Sequence, residues 1–390
     1  MSLMTNIIIV GAGPIGSFTA IKLASSGYNI TVLEKKSSPD INVCCTGIIS
    51  RECYNLLKPD LIDNLVFREA NAATFFSPSE QYIKLARDIN TTYIIDRPLL
   101  NSKLAEKAQN KGVNYIYSAN VVDLHPRKND IEVVVYIKGI FTTLLADLVI
   151  LASGLNRKLC NQLGLGTINC YTIGTQTKVV LNNIKDVEIY VNHTLAPGGF
   201  AWLVPTNDNY GLAGLITKSN PRRSLSSLLY YLKEKNKIDI NDAKVNYGLI
   251  PLQPLPKTYT NRVLVIGGAA GQVKPITGGG IYYGILCADM AINTIIEAVN
   301  KNDFSQSFLS SYQKNWHRLL YREIIVGFWA QQIWSKFTNH HIDYLINIFN
   351  KRAIQTMVDK MDNFPFDYHS QFIFNTAKYL LPLMNKKGKI

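Results

Sequence analysis

Two glycine-rich loops are where chemistry is most legible in this chain of 390 residues. The first, Gly11-Ala-Gly13-Pro14-Ile-Gly16, lies between a β-branched run at 6–10 and a helix-spaced run from Ser17. The second runs from Gly267 to Gly280, between the apolar run 262–267 and the helix-spaced run from Ile281. Strand, glycine loop and helix in that order aim free backbone N–H groups and a helix N-terminus at one spot. Such a spot suits a phosphate or the negative charge on a reduced ring. Glu34 ends the next apolar run, 29–33, about 20 residues past the first loop, where an acid can bind a ribose hydroxyl. Gly11, Gly13 and Gly16 alone would be weak evidence, but with both strands, the helix and the acid in place they read as a dinucleotide site.

Other reactive side chains are sparse. The six cysteines form no CxxC pair and no metal-type spacing, which fits a reduced intracellular chain. Cys44 and Cys45 sit in the small-residue loop 43–50, and Tyr282 and Tyr283 follow the second glycine loop, where either could donate a proton. Lys274 beside that loop could neutralise a reduced ring or a lipid headgroup, or be solvated. The histidines show no ligand spacing with carboxylates, so no metal is assigned.

These groups need elements to hold them. Residues 147–152 form a continuous apolar run into Ser153-Gly154, suited to a buried parallel strand beside the first one. Residues 97–108 have helical periodicity with Pro98 in the first turn, and 119–150 read as a meander. Alternating runs at 175–181, 187–192, 200–204 and 210–216 predict an antiparallel sheet, with an amphipathic helix at 224–237. The fold class is therefore α/β. A discontinuous Rossmann-like cofactor domain takes 1–65, 96–165 and 255–302, and an antiparallel-sheet substrate domain takes 66–95 and 166–254. A helical region, aromatic and basic, takes 303–390.

A hydrophobic fraction of 47% with 18% charged residues describes a well-cored globular protein rather than a disordered one. The formal charge of +13 suits solubility, an anionic membrane surface or an anionic substrate. No dense Lys/Arg block with interleaved aromatics points to nucleic acid. The first strand begins almost at once, leaving no room for a signal peptide, and no uninterrupted apolar run of about 18 residues predicts a spanning helix. A cytoplasmic location is expected, with a peripheral place on the inner face of the membrane as a further expectation.

These landmarks, in this order, resemble the geranylgeranyl reductase family of FAD-dependent enzymes, within the p-hydroxybenzoate hydroxylase-like flavoproteins, over nearly the full length. The resemblance implies FAD as cofactor. Gly11, Gly13, Pro14, Gly16, Glu34 and Lys35 match its pyrophosphate and ribose site; Cys45, Thr46 and Gly47 its cysteine–glycine segment beside the flavin; and Arg97 its arginine-led helix. Val122 and Gly154 fall along the same cofactor. Gly267, Gly268, Ala269, Gly271, Pro275, Gly278, Gly279, Gly280 and Ile281 match the loop over the flavin ring. Pro197, Gly198, Gly199, Phe200, Trp202 and Pro205 resemble the motif lining the lipid cavity, although Phe200 and Trp202 equally suit plain core packing.

The implied reaction is hydrogenation of isolated C=C bonds in a prenyl chain carried by a diphosphate or a lipid. Hydride comes from flavin N5 and a proton from a second group, with Cys45 and Tyr282 the candidates. NAD(P)H or a ferredoxin is the implied electron donor. One departure stands out: the family usually has Gly-Asp where this chain has Gly267-Gly268, and that aspartate normally accepts a hydrogen bond from the ribityl chain. Two alternatives stay open, a flavin monooxygenase or halogenase on a similar scaffold and a non-catalytic flavin- or lipid-binding protein. A halogenase Trp-x-Trp-x-Ile-Pro motif is absent, and Trp202-Leu-Val-Pro205 is only distantly reminiscent.

Overall fold

A computed structural model describes residues 4–60, 65–86, 92–239, 244–349, 366–368, 370 and 373. The expected helical stretch at 350–365 and the basic end at 385–390 lie outside the described residues.

A six-stranded sheet carries both glycine loops. Its spatial order is Tyr259–Thr260, Val263–Val265, Leu148–Leu151, Asn6–Val10, Asn29–Glu34 and Asn114–Tyr117, parallel throughout except at the first pair. Strands so rich in Ile, Val and Leu must be covered on both faces, and alternation decides how. Ile7 and Ile9 face the helices Pro14–Ala24, Arg97–Asn110 and Ile281–Lys301, while Ile8 and Val10 face the antiparallel meander Ala119–Pro126, Ile131–Ile137 and Ile140–Ala146. Among the described residues, Ile281–Lys301 is the helix long and apolar enough to cross a membrane. Its role here is to fill the core.

The expected strand at 262–267 is shorter, Val263–Val265, for a backbone reason. Arg262 and Gly267 both take left-handed dihedrals, φ 59° and 64°, which end the strand at each side.

The second large sheet runs Ile238–Asp239, Tyr171–Leu181, Tyr210–Thr217, Phe200–Pro205, Val187–Tyr190, Ala72–Phe76 and Tyr82–Ala86, with Asn246–Pro251 also paired to Tyr171–Leu181. The helix between its strands is Pro221–Glu234, three residues earlier at each end than periodicity suggests, because Pro221 starts it. That helix buries Leu225, Leu228 and Leu232 against Val179, Leu203 and Leu215 on one face of the sheet. The other face carries Trp202, Ile216 and Ile250 and turns toward the glycine loops. A small sheet, Ile48–Ser50 with Thr92–Ile95 and Val66–Ala70, joins the two halves. Helices Gln306–Trp316, Arg322–Trp334 and Asn339–Phe349 follow, with a π-helical turn His317–Tyr321 between the first two.

Candidate active site

The two glycine loops, far apart in sequence, are in contact. Ile15, in the first turn of the helix after Gly11–Gly16, packs against Gly267 and Gly284. A Cβ on Gly284 would come within 2.6 Å of Ile15 Cδ1, so glycine there makes room for the Ile15 side chain between the two helix starts. Gly11 takes φ 109°, and a Cβ on Gly16 would lie 2.0 Å from Gly11 O, which makes both obligatory for the turn. Gly13 and Gly154 instead have nothing within 4 Å of an added Cβ, so they border open space.

Both helix starts are left free to bind. Asp96, Ser50, Asn156 and Ser305 cap their helices with side-chain oxygens. Gly13 and Gly280 precede theirs with no side-chain cap and no acid in the first turn. Their first-turn N–H donors therefore remain for a ligand.

Glu34 is buried and held by two backbone donors, Ala12 N at 2.8 Å and Lys36 N at 2.9 Å. This fixes the carboxylate at the edge of the first loop with lone pairs left for a ribose hydroxyl. Lys35 is exposed, and Val122 is half-buried on the strand that starts beyond Ser118, whose N–H donates to Lys36 O.

Arg97 supplies the strongest sign of a missing anion. It is 6% exposed and donates from Nη1 to Asn101 Oδ1 at 3.2 Å, while its buried Nε finds no partner. Ser153 Oγ, beside Gly154, is likewise buried without a partner. A buried guanidinium with open donors is costly unless an anion completes it. Gly47 lies against it, with a Cβ there 2.1 Å from Ile95 O and 3.3 Å from Arg97 Cγ. Thr46 and Cys45, both half-buried, precede it. A flavin cofactor fits this cradle: open glycines, a buried acid, uncapped helix starts and orphaned donors.

The loop 267–280 is held from three sides. Gly267 N donates to Gln272 Oε1 at 2.7 Å, Gln272 Nε2 donates to Tyr312 Oη at 2.8 Å, and that hydroxyl donates to Val265 O at 3.0 Å. Pro275 packs on Gly327, where a Cβ would meet its Cδ at 2.9 Å. Lys274 ties the loop's far end, its N–H donating to Gly279 O and its carbonyl accepting from Gly278 N. Ala269 is buried inside the loop and Gly271 takes φ 69°. Gly268 has an ordinary φ, and an added Cβ would meet only Gly154 Cα, at 3.6 Å.

An apolar surface abuts this loop. A Cβ on Gly278 would lie 3.1 Å from the Cδ1 atoms of both Ile216 and Ile250. The same cluster holds Trp202 and Phe200, whose rings are 5.9 Å apart. Gly214 makes room for the indole: a Cβ there would be 2.6 Å from Trp202 Cζ2. Trp202 Nε1 is buried without a partner. Pro197, Gly198 and Gly199 form the turn before this strand, and Pro205 ends it. Helix Arg322–Trp334 fixes that turn, through Gln331 Nε2 to Gly198 O at 3.1 Å and Trp334 Nε1 to Gly199 O at 3.2 Å.

The candidate proton donors differ in setting. Cys44 Sγ packs toward Gly174, with its Cβ against Gly248, and burial pushes its thiol up to about 12, so it stays protonated. Cys45 instead turns its backbone O to Gln176 Nε2 at 2.9 Å. Burial, then a hydrogen bond with Tyr368, raises Tyr282, which therefore remains a neutral phenol. Tyr283 is buried and donates to Asp367 O at 2.8 Å. Lys274 is not solvated: it is buried and pairs with Asp367 at 2.8 Å. Sequence reasoning missed Asp367, Gln272, Gly284 and Gln331. The signals were an amide side chain inside a glycine loop and a glycine inside a core helix.

Fold and site together define a flavoprotein oxidoreductase. The profile of the tryptophan halogenase family matches residues 60–337, and the chain belongs to that family; an NAD(P)-binding Rossmann-like profile matches residues 9–42. Full-length relatives carry a different name. The digeranylgeranylglycerophospholipid reductase of Methanocaldococcus jannaschii is 26% identical over 354 residues, 87% of this chain and 89% of the relative. That of Methanopyrus kandleri is 25% identical, over 90% and 92%. Among solved structures, a geranylgeranyl bacteriochlorophyll reductase-like protein from Thermoplasma acidophilum superposes with a TM-score of 0.83 at 19% identity, covering 98% of this chain and all of the other. A flavin-dependent halogenase shares the fold at a TM-score of 0.68 and 15% identity, covering 99% of this chain and 78% of the other.

Proposed function

We propose that the protein is an FAD-dependent reductase that hydrogenates isolated C=C bonds of geranylgeranyl or other polyprenyl chains on a lipid or diphosphate. The observation that carries this reading is the apolar face of Trp202, Ile216 and Ile250 pressed against Gly278, at the uncapped start of the helix Ile281–Lys301. An alkene has no carbonyl to polarise, so the site must supply orientation and a dry, apolar surface. The reductase relatives support the substrate class.

When bound, reduced FAD supplies the hydride. The protein's own groups do the rest. Gly11, Gly13 and the N-terminus after them hold the pyrophosphate, with Arg97 and Ser153 completing it, and Glu34 takes the ribose. The free N–H groups at Gly279–Ile281 favour negative charge on the ring. Phe200, Trp202, Ile216 and Ile250 exclude water and align the chain. Cys45 Sγ and Tyr282 Oη are the groups from which a proton can reach the second carbon; burial keeps Tyr282 protonated. In this reading the parallel sheet and its helices are the cofactor half and the large antiparallel sheet the substrate half. The electron donor is NAD(P)H or a ferredoxin.

The same reading places the protein in the cytoplasm, at the inner membrane face. Helix Arg322–Trp334 carries an uninterrupted apolar run, 324–330, yet buries only Ile324, Gly327 and Gln331. Trp329 and Ile333 stand outward, 61% and 60% exposed, one turn apart, with Arg318 and Lys336 exposed at either end. Aromatic and aliphatic residues flanked by basic ones suit an anionic lipid surface.

A halogenase reading draws on the family match, and oxygen-dependent halide incorporation by the purified protein would favour it. The deciding test is anaerobic incubation of the reduced protein with geranylgeranyl lipids: gain of one H2 per bond supports the proposal, and unchanged lipid overturns it.

A further inference from the structure

Two oppositely charged side chains are buried beside the loop that the proposed function assigns to the flavin ring, and that function has no use for them. Lys274 Nζ lies 2.8 Å from Asp367 Oδ1, with the side chains 6% and 4% exposed. The lysine stem lies along the loop: a Cβ on Gly279 would be 2.6 Å from Lys274 Cε. Its ammonium also donates to Phe366 O at 3.3 Å and stands 4.6 Å from the centre of the Phe366 ring. Asp367 Oδ2 is buried with no partner, and Asp367 O accepts from Tyr283. The neighbours fix the same segment: Tyr368 stacks edge-on to Tyr282 at 6.1 Å, and Ser370 N donates to Glu323 Oε2 at 2.9 Å.

Burying two charges forfeits the hydration of both before their attraction is counted, so a pair retained here needs a reason beyond stability. An uncompensated ammonium beside Gly278–Gly280 would stabilise a reduced, negatively charged ring. It would thereby make the flavin a weaker reductant, the opposite of what an unactivated alkene requires. A lone carboxylate would act the other way and would hinder reduction of the ring by its donor.

We propose that Asp367 is a positioning residue. By neutralising Lys274 it keeps the loop 274–280 closed and withholds a full positive charge from the reduced flavin, leaving the flavin strongly reducing. This rests on the proposal that FAD binds at this loop.

The test is the two-electron potential of bound flavin in three full-length variants. Asp367→Asn should raise it, Lys274→Met should lower it, and the double variant should return near the parent. A tenfold change in the preference for reduced over oxidised flavin reads as about 30 mV, and each single variant should move at least that far. A purely structural role would not split the sign. Shifts of the same sign, or none, on protein that still binds flavin would overturn the role of Asp367 and leave the proposed function standing. Protein that binds no flavin would overturn that reading and this one with it. Should Lys274→Met fail to fold, hydrogen exchange on flavin-free Asp367→Asn decides: faster exchange at Lys274 and Gly278, whose N–H groups donate to Gly279 O and Lys274 O, is expected, and unchanged protection refutes the loop-closing role.

Discussion

Replacing Gly268 with aspartate should tighten flavin binding. The residue sits in the 3-10 turn Gly267–Ala270 with an ordinary φ, so a side chain imposes no backbone strain. Its Cβ would meet one heavy atom within 4 Å, Gly154 Cα at 3.6 Å, an ordinary van der Waals contact. The carboxylate would thus project beside Gly154, which borders open space, toward the ribityl chain of a bound FAD. A hydrogen bond to a charged group contributes roughly 1.5–3 kcal/mol, a ten- to hundredfold lower Kd by the usual conversion. Replacing glycine also removes unfolded-state entropy, about 0.4–1 kcal/mol in favour of the fold. The flavin-free variant should therefore keep at least the parent's Tm while the FAD-bound form gains more. Titration of flavin-free protein with FAD, read by quenching of flavin fluorescence, compares the parent, Gly268→Asp and the uncharged Gly268→Asn. An unchanged or weaker Kd for the aspartate, with Tm unaltered, would refute the placement of the cofactor against this turn.

Three further outcomes follow from the same geometry. Arg97→Met should weaken FAD roughly ten- to hundredfold, since its buried Nε has no protein partner and loses a charge-assisted bond to the ligand; FAD affinity equal to the parent would remove Arg97 from the site. Cys44 is raised from its ordinary 9.0 to about 12, first by burial and then by Cys45. The folded state therefore favours its thiol, and the stability this contributes is present below pH 9 and lost as pH rises toward 12. Tm should fall less steeply across that window in Cys44→Ala, and identical slopes would refute the assignment. Trp329→Ser with Ile333→Ser should abolish flotation with anionic liposomes without altering flavin content; undiminished binding would refute the membrane face.

What could be read without a structure was local. Gly11 and Gly16 announce themselves because a tight turn tolerates nothing else, and Glu34 and Arg97 stand at fixed distances from strand and helix starts. The alternation of Phe200 and Trp202 likewise fixes one sheet face. What stayed hidden was long-range. Gln272 meets Tyr312, Gln331 meets Gly198, and Lys274 meets Asp367 across separations of 40, 133 and 93 residues. No periodicity encodes such pairs. Lys274 is the sharpest case: beside a glycine loop a lysine suggests a free cation, and only the tail segment at Phe366–Tyr368 reveals that it is neutralised. Gly284 was hidden for a different reason, since a glycine in a helix marks close packing without naming the partner, which is Ile15.

In the proposed reaction one flavin, bound between two touching glycine loops, reduces a prenyl chain lying on the Trp202–Ile216–Ile250 face. Mass spectrometry of geranylgeranyl lipid after anaerobic incubation with the FAD-loaded, dithionite-reduced protein tests it most directly. The expected product is lipid heavier by one H2 for each bond reduced, with flavin reoxidised in step. Lipid recovered unchanged, with the flavin still reduced, would contradict it.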